Sequence, residues 1–321
     1  MAKTEDTGVK KDAKRDALPK DSPPRGGMRP LKRLLKNRSG QVRLMIVLLA
    51  ALAVYALCVP AAEWLYWTGF NALLKLWGIT DRNIARAPWP VRQFARFSGV
   101  VLTLVQGALL FALSRAMTRF LPGRMASWRG RACAGGAAGG AVSLLLLWGA
   151  LLLADNMRLG WPLSRPAWSI DAALLSLTAA VTAAAGLCWG LTLFSFLERS
   201  LPEAFAVALG TLLLAPVTLS SAHIDAPAVV NTLLCGMVCC LSLKRKGSWA
   251  WAAGFLSALW IMERAVLGFP GFDAALFETY PVNYYWVNGG EKGLWNGAAM
   301  TVLLLGWAAL FIRPIRRRAA S

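Results

Sequence analysis

The feature that most restricts this chain is a recurrence of uncharged apolar runs separated by short polar connections. The runs extend from Leu44 to Trp67, Ser98 to Leu113, Cys133 to Ala154 and Ala172 to Leu197. They continue from Ala204 to Ser221, Ala228 to Leu243, Trp249 to Gly268 and Trp295 to Ile312. A helix needs about 20 apolar residues to cross about 30 Å of hydrocarbon, and each run is near that length. Strands are not expected, because a sheet with open edges leaves backbone groups without partners in lipid. The expected fold is therefore all-α, a polytopic membrane protein of about eight transmembrane helices.

Composition agrees with that reading. Hydrophobic residues make up 57% of the chain and charged residues 16%, against about 25% charged in soluble domains. The formal net charge is +19, which by itself could suggest a nucleic-acid partner. The charges, however, are concentrated in the tail and in short loops, as the positive-inside rule requires, so no nucleic acid is expected as a partner. The six cysteines lie in or beside apolar runs and the single histidine, His223, is not spaced with them as a metal site would be. They read as small apolar residues of membrane helices, with no cofactor and no metal expected.

Residues 1–40 are rich in Lys, Arg, Asp and Pro and cannot supply a core, so a disordered basic tail is expected. Residues 41–318 read as a single multi-span domain. Basic loops after the second and sixth runs (Arg115 to Arg131; Lys244-Arg245-Lys246) fall on the same side as both termini. That side is expected to be the cytoplasm, and the membrane a bacterial cytoplasmic (inner) membrane. Arg82, Arg86, Arg92 and Arg96 fall on the opposite side and run against the rule. That segment reads as an interfacial helix or a re-entrant one.

From Leu191 to Trp260 the chain resembles the core of the CAAX-protease and bacteriocin-processing (CPBP, or Abi) family of intramembrane proteases. The family pattern is E-E-x-x-x-R on one span, F-x-x-x-H on the next, a basic turn with Gly-Ser, and H-x-x-x-N on a further span. Here Leu219-Ser220-Ser221-Ala222-His223 is similar to the F-x-x-x-H element, and Lys244-Arg245-Lys246-Gly247-Ser248-Trp249 to the basic turn. Trp286-Val287-Asn288-Gly289-Gly290-Glu291-Lys292-Gly293-Leu294 is similar to a Gly-Gly-rich segment before the last span. The CPBP-like core covers about 171–312. With Arg199 as the motif arginine, the paired glutamates fall on Phe194 and Ser195, the second histidine on Ser257 and the asparagine on Ile261. Of the family's catalytic groups, only His223 matches in place.

The resemblance implies hydrolysis of peptide bonds in the membrane, with a glutamate as base and a histidine assisting. Its substrate would be a membrane-associated protein or peptide. Three catalytic candidates follow. His223 holds the motif position. Glu198 adjoins Arg199 at the end of the fourth run, where a headgroup-level ion pair is the simpler reading. Glu263 lies about fourteen residues into the seventh run, and an ionisable residue at such depth is a functional candidate by default. Glu263 and His223 form a displaced water-activating pair on this reading, the alternative for Glu263 being a Glu-Arg pair that fixes helix packing. Glu203 reads as a first-turn carboxylate favouring the helix dipole, and Asn231 as polar glue between helices. A catalytically inactive relative that binds or scaffolds membrane proteins is the alternative function. An unrelated transporter or lipid-handling protein is a third.

Overall fold

The computed structural model describes residues 44–79, 88–120, 128–160, 168–219, 224–269 and 276–319. The chain divides into Met1–Gln41 and Val42–Ser321, and everything below concerns the second unit. The tail 1–40, His223, Arg82, Arg86 and Arg124 lie outside the described residues.

The described fold is all-α. Its helices are α1 (Leu44–Leu76), α2 (Trp89–Arg96), α3 (Ser98–Phe120), α4 (Gly130–Leu153), α5 (Trp168–Ser200), α6 (Glu203–Thr218), α7 (Ala226–Lys246), α8 (Ala250–Ile261), α9 (Tyr285–Asn288) and α10 (Ala298–Ala319). Among the described residues, five stretches are long and apolar enough to cross a membrane: Leu48–Leu76, Ser98–Thr118, Gly130–Leu153, Ala173–Ser200 and Ala226–Lys246. Glu203–Thr218 and Ala298–Ile312 are apolar but shorter. The seventh run is not one helix. Its α-helix stops at Ile261 and a π-helical turn, Met262–Val266, takes over.

Two further features depart from the sequence reading. The first helix does not end at Trp67 but continues to Leu76. Phe70 and Leu74 on this extension are buried with Val91 of α2, so the segment that carries Arg92 is a short helix seated against the end of α1. The expectation of no strands is also corrected: Met157–Gly160 (β1) pairs antiparallel with Glu278–Pro281 (β2), Met157 opposite Pro281. The ladder is four residues per strand and lies in the connections after α4 and after the π turn. There, Trp148 Nε1–H donates to Thr279 (3.2 Å) and the Thr279 hydroxyl donates to Leu267 O.

Helix ends follow local chemistry. Asp225 is the N-cap of α7 and Pro227 sits in its first turn, where a missing N–H costs nothing. The same helix ends on Lys244, Arg245 and Lys246, with Gly247 in the left-handed region (φ 61°) closing a 2.7 Å bond to Leu243 O. Cations there oppose the negative end of the helix dipole. Glu203 in the first turn of α6 favours the positive end of its own.

α8 is the interior helix. All of Ala250–Leu256 and Ala258–Trp260 are buried, as expected of a helix that is hydrophobic all round. It packs on α4 and α5, while α5 carries α3 and α6, and α7 links α6 to α10. The α4–α8 approach depends on missing side chains. A Cβ on Gly136 would lie 2.0 Å from Trp251 O, and one on Gly254 would lie 2.1 Å from Cys133 O. Beside this contact, the rings of Trp251, Phe255, Trp307 and Phe311 meet with centroids 4.9–5.9 Å apart. In a bilayer, where lipid tails are as apolar as leucine, close packing of this kind is a main source of helix association.

Gly136→Ala and Gly254→Ala are each expected to lower the thermal stability of the purified protein in detergent by about 1–3 kcal/mol or more, since the clash is with backbone. Gly135→Ala meets nothing within 4 Å and should leave the unfolding temperature nearly unchanged. Equal effects at all three positions would contradict the contact.

Candidate functional site

The polar groups of the interior gather at the end of the bundle where α8 gives way to the π turn. Glu263 is only 3% exposed. A π turn inserts a residue into the helix and is frequent at functional sites. Here it turns a carboxylate into the protein, where its Oε2 accepts a 2.8 Å hydrogen bond from Trp295 Nε1. The adjoining guanidinium of Arg264 lies 5.2 Å from the centre of the Trp260 ring, within the range of a cation–π contact. The chain after the turn bonds back onto it, with Phe269 N–H donating to Glu263 O and Leu276 and Phe277 N–H donating to Ala265 O and Val266 O.

Trp295 is held by a glycine-rich knot, residues 285–297. Gly289, Gly290 and Gly293 all have positive φ (84°, 58° and 86°), a conformation open to glycine without strain. A Cβ on Gly289 would sit 1.9 Å from Gly293 O, and one on Gly297 2.3 Å from Val287 O. Asn288, fully buried, ties the knot to the end of α4: its Nδ2 donates to Asn156 O (2.8 Å) and Asn283 O (2.9 Å), and its Oδ1 accepts from Gly290 N–H.

Asn231 of α7 closes the arrangement from the other side. Its Nδ2 donates to Trp295 O (2.8 Å) and Gly297 O (3.2 Å), and its Oδ1 accepts from the Thr301 hydroxyl (2.7 Å). At the very next residue of α7, Thr218 at the end of α6 donates to Thr232 O (3.0 Å). Asp225, before α7, pairs with Lys292 of the knot. The sequence-predicted glue residue Asn231 thus does join helices, through the knot. Trp295, Asn288 and Thr301 were not predicted. The spacing Gly289, Gly290, Gly293, Gly297 just ahead of an apolar run was their available signal.

Glu198 is elsewhere. Lys244 Nζ lies 3.8 Å from Glu198 Oε1 and 2.5 Å from Glu203 Oε1, with all three side chains partly or well exposed. Lys244 is thirteen residues along α7 from Asn231, which corresponds to roughly 20 Å of helix. Glu198 and Glu263 are therefore not brought together. His223 lies outside the described residues; its described neighbour Asp225 is at the Glu263 end of α7.

Phe194 and Ser195, where the resemblance leads one to expect paired glutamates, carry other chemistry. Phe194 is wholly buried, its ring so close to α6 that a Cβ on Gly210 would lie 2.5 Å from Cδ2. Ser195 spends its hydroxyl on its own helix, donating to Leu191 O at 2.8 Å. Among the described residues, no three His, Cys, Asp or Glu side chains converge as a metal site needs. Compared with known proteins, the chain matches no family model, no curated protein and no solved structure.

The indole–carboxylate bond makes a measurable statement. Trp295→Phe keeps one aromatic ring but removes the donor from a buried carboxylate and leaves some space behind it, at an expected cost of about 1–3 kcal/mol or more. Glu263→Gln retains an acceptor oxygen and should cost less. A double-mutant cycle of the two, followed by thermal unfolding, is expected to show coupling of about 1 kcal/mol or more; strict additivity would mean that the two groups do not interact.

Proposed function

We propose that the chain is an integral membrane protein related to the CPBP family that binds membrane-associated proteins or peptides without cleaving them. On this reading α6, α8 with its π turn, and α10 complete about eight crossings. The CPBP-like core is 171–312, residues 1–40 are a cytoplasmic tail, and the Lys244 end of the bundle faces the cytoplasm of a bacterial cell. The basic charge at that end supports the orientation.

The observation that carries the reading is the pair Phe194 and Ser195. A water-activating site needs a carboxylate where the family pattern has two, and here one position is a buried core ring and the other a hydroxyl bonded to its own helix. Removing members of a cooperating catalytic set costs nearly as much as removing all of it. Glu198 does not replace them: one turn on from Ser195, its carboxylate is partly exposed and faces Lys244.

One observation favours a second reading. Glu263 is a buried carboxylate on a π turn, and with His223 it would make a displaced peptidase site. The two readings separate by comparing protein N- and C-termini in membrane and secreted fractions of three strains: wild type, His223→Ala with Glu263→Gln, and full deletion. Binding without cleavage predicts that the double substitution leaves every terminus as in wild type, while deletion lowers the recovery of partners crosslinked in wild type. Termini lost equally in both altered strains would instead establish the peptidase and name its substrate.

A further inference from the structure

A cavity unconnected with Glu263 opens between α1, α3, α5 and α6. Tyr55 and Cys58 of α1, Gln106 of α3, Thr182 of α5 and Pro216 of α6 are among its walls. The empty space measures about 480 Å³, its open mouth included. That is room for one ring or a short run of linked heavy atoms, not for a whole lipid. Thr182 and Pro216 are exposed at its mouth. Thr182 is sixteen residues from Glu198, roughly 24 Å up the helix, so the mouth opens at hydrocarbon depth rather than to water.

The lining is unusual for that depth. Most of it is apolar, and no charged side chain contributes. Yet the Tyr55 hydroxyl, the Gln106 carboxamide and the Thr182 hydroxyl have no hydrogen-bond partner among the described residues. Of the other polar lining groups, the Thr103 hydroxyl donates to Gly99 O (2.8 Å) and the Cys58 thiol lies 3.9 Å from the backbone carbonyl of Gln106. In a layer without water, a polar group left unbonded is costly, and three that share one cavity mark a place for a ligand that brings its own oxygen. The absence of charge excludes ions and charged headgroups, which would have no counter-charge there.

We propose that this cavity binds an uncharged, membrane-dissolved amphiphile, seating a carbonyl or hydroxyl oxygen between Tyr55 and Gln106 while its apolar chain leaves past Thr182 and Pro216 into the bilayer. Two sources share that chemistry, a neutral glycerolipid such as diacylglycerol and a prenylated quinone.

The test uses the full chain in phosphatidylcholine nanodiscs doped with either a photoactivatable diacylglycerol or a photoactivatable prenylquinone, with crosslinked residues mapped by mass spectrometry. Crosslinks concentrated on the cavity walls are expected with one of the two probes, which then identifies the source. Tyr55→Phe and Gln106→Leu should each reduce them by roughly fivefold, the worth of one hydrogen bond, with the unfolding temperature unchanged. Thr182→Val, at the exposed mouth, provides the same readout should either interior variant fold poorly. Crosslinks spread equally over the exposed residues Leu52, Leu104 and Phe111, and indifferent to all three substitutions, would overturn the proposal.

Discussion

A hydrocarbon layer returns no hydrogen bonds, and any polar group the chain buries must find its partner inside the protein. The end of the bundle around Glu263 is organised by that demand. The carboxylate accepts from the Trp295 indole, the Trp295 carbonyl accepts from Asn231, and the Asn231 carbonyl accepts from Thr301. Each link joins elements distant in the chain: the π turn, the knot, α7 and α10. Irregular backbone at such a place is tolerated where it is enclosed and where side chains such as Asn288 and Asn231 answer its carbonyls. The glycines of the knot allow the enclosure, since a side chain at Gly289 or Gly297 would overlap neighbouring backbone.

The rest of the bundle supplies the walls by close approach rather than by polar bonds. α4 and α8 touch backbone to backbone through Gly136 and Gly254, and this contact carries the interior helix up to the π turn. Trp307 fills the space beside Gly139 and donates to Ser143, locking α10 to the same pair. Charged groups sit at both ends: Lys244 with Glu198 and Glu203 at one, Asp225 with Lys292 at the other. Exposed carboxylates of the first kind are worth little to stability and read as the polar margin of the bundle.

Much of this was legible in the sequence. Uniform apolar runs announced the helices, and the small residues from Ala134 to Gly140 are of the kind that admits a close helix contact. The depth of Glu263 and the bonding role of Asn231 were readable for the same reason, that a polar residue inside an apolar run must be answered. What was not legible depends on contacts between distant segments. Nothing local to Met262–Val266 marks a π turn, and hydropathy carried the seventh run straight through it. Trp295 looked like the first residue of a span, since its donor role is defined only by a carboxylate thirty-two residues earlier. The short ladder of Met157–Gly160 with Glu278–Pro281 has too few residues to show an alternating pattern.

The α4–α8 contact also has a consequence in time. Gly136 and Gly254 are separated by well over a hundred residues, and a ribosome adds roughly 5–20 residues per second. For several seconds after α4 enters the bilayer, its glycine face has no partner and offers bare backbone to whatever helix diffuses past. The order of synthesis thus leaves this backbone-to-backbone joint to close only once α8 has been made.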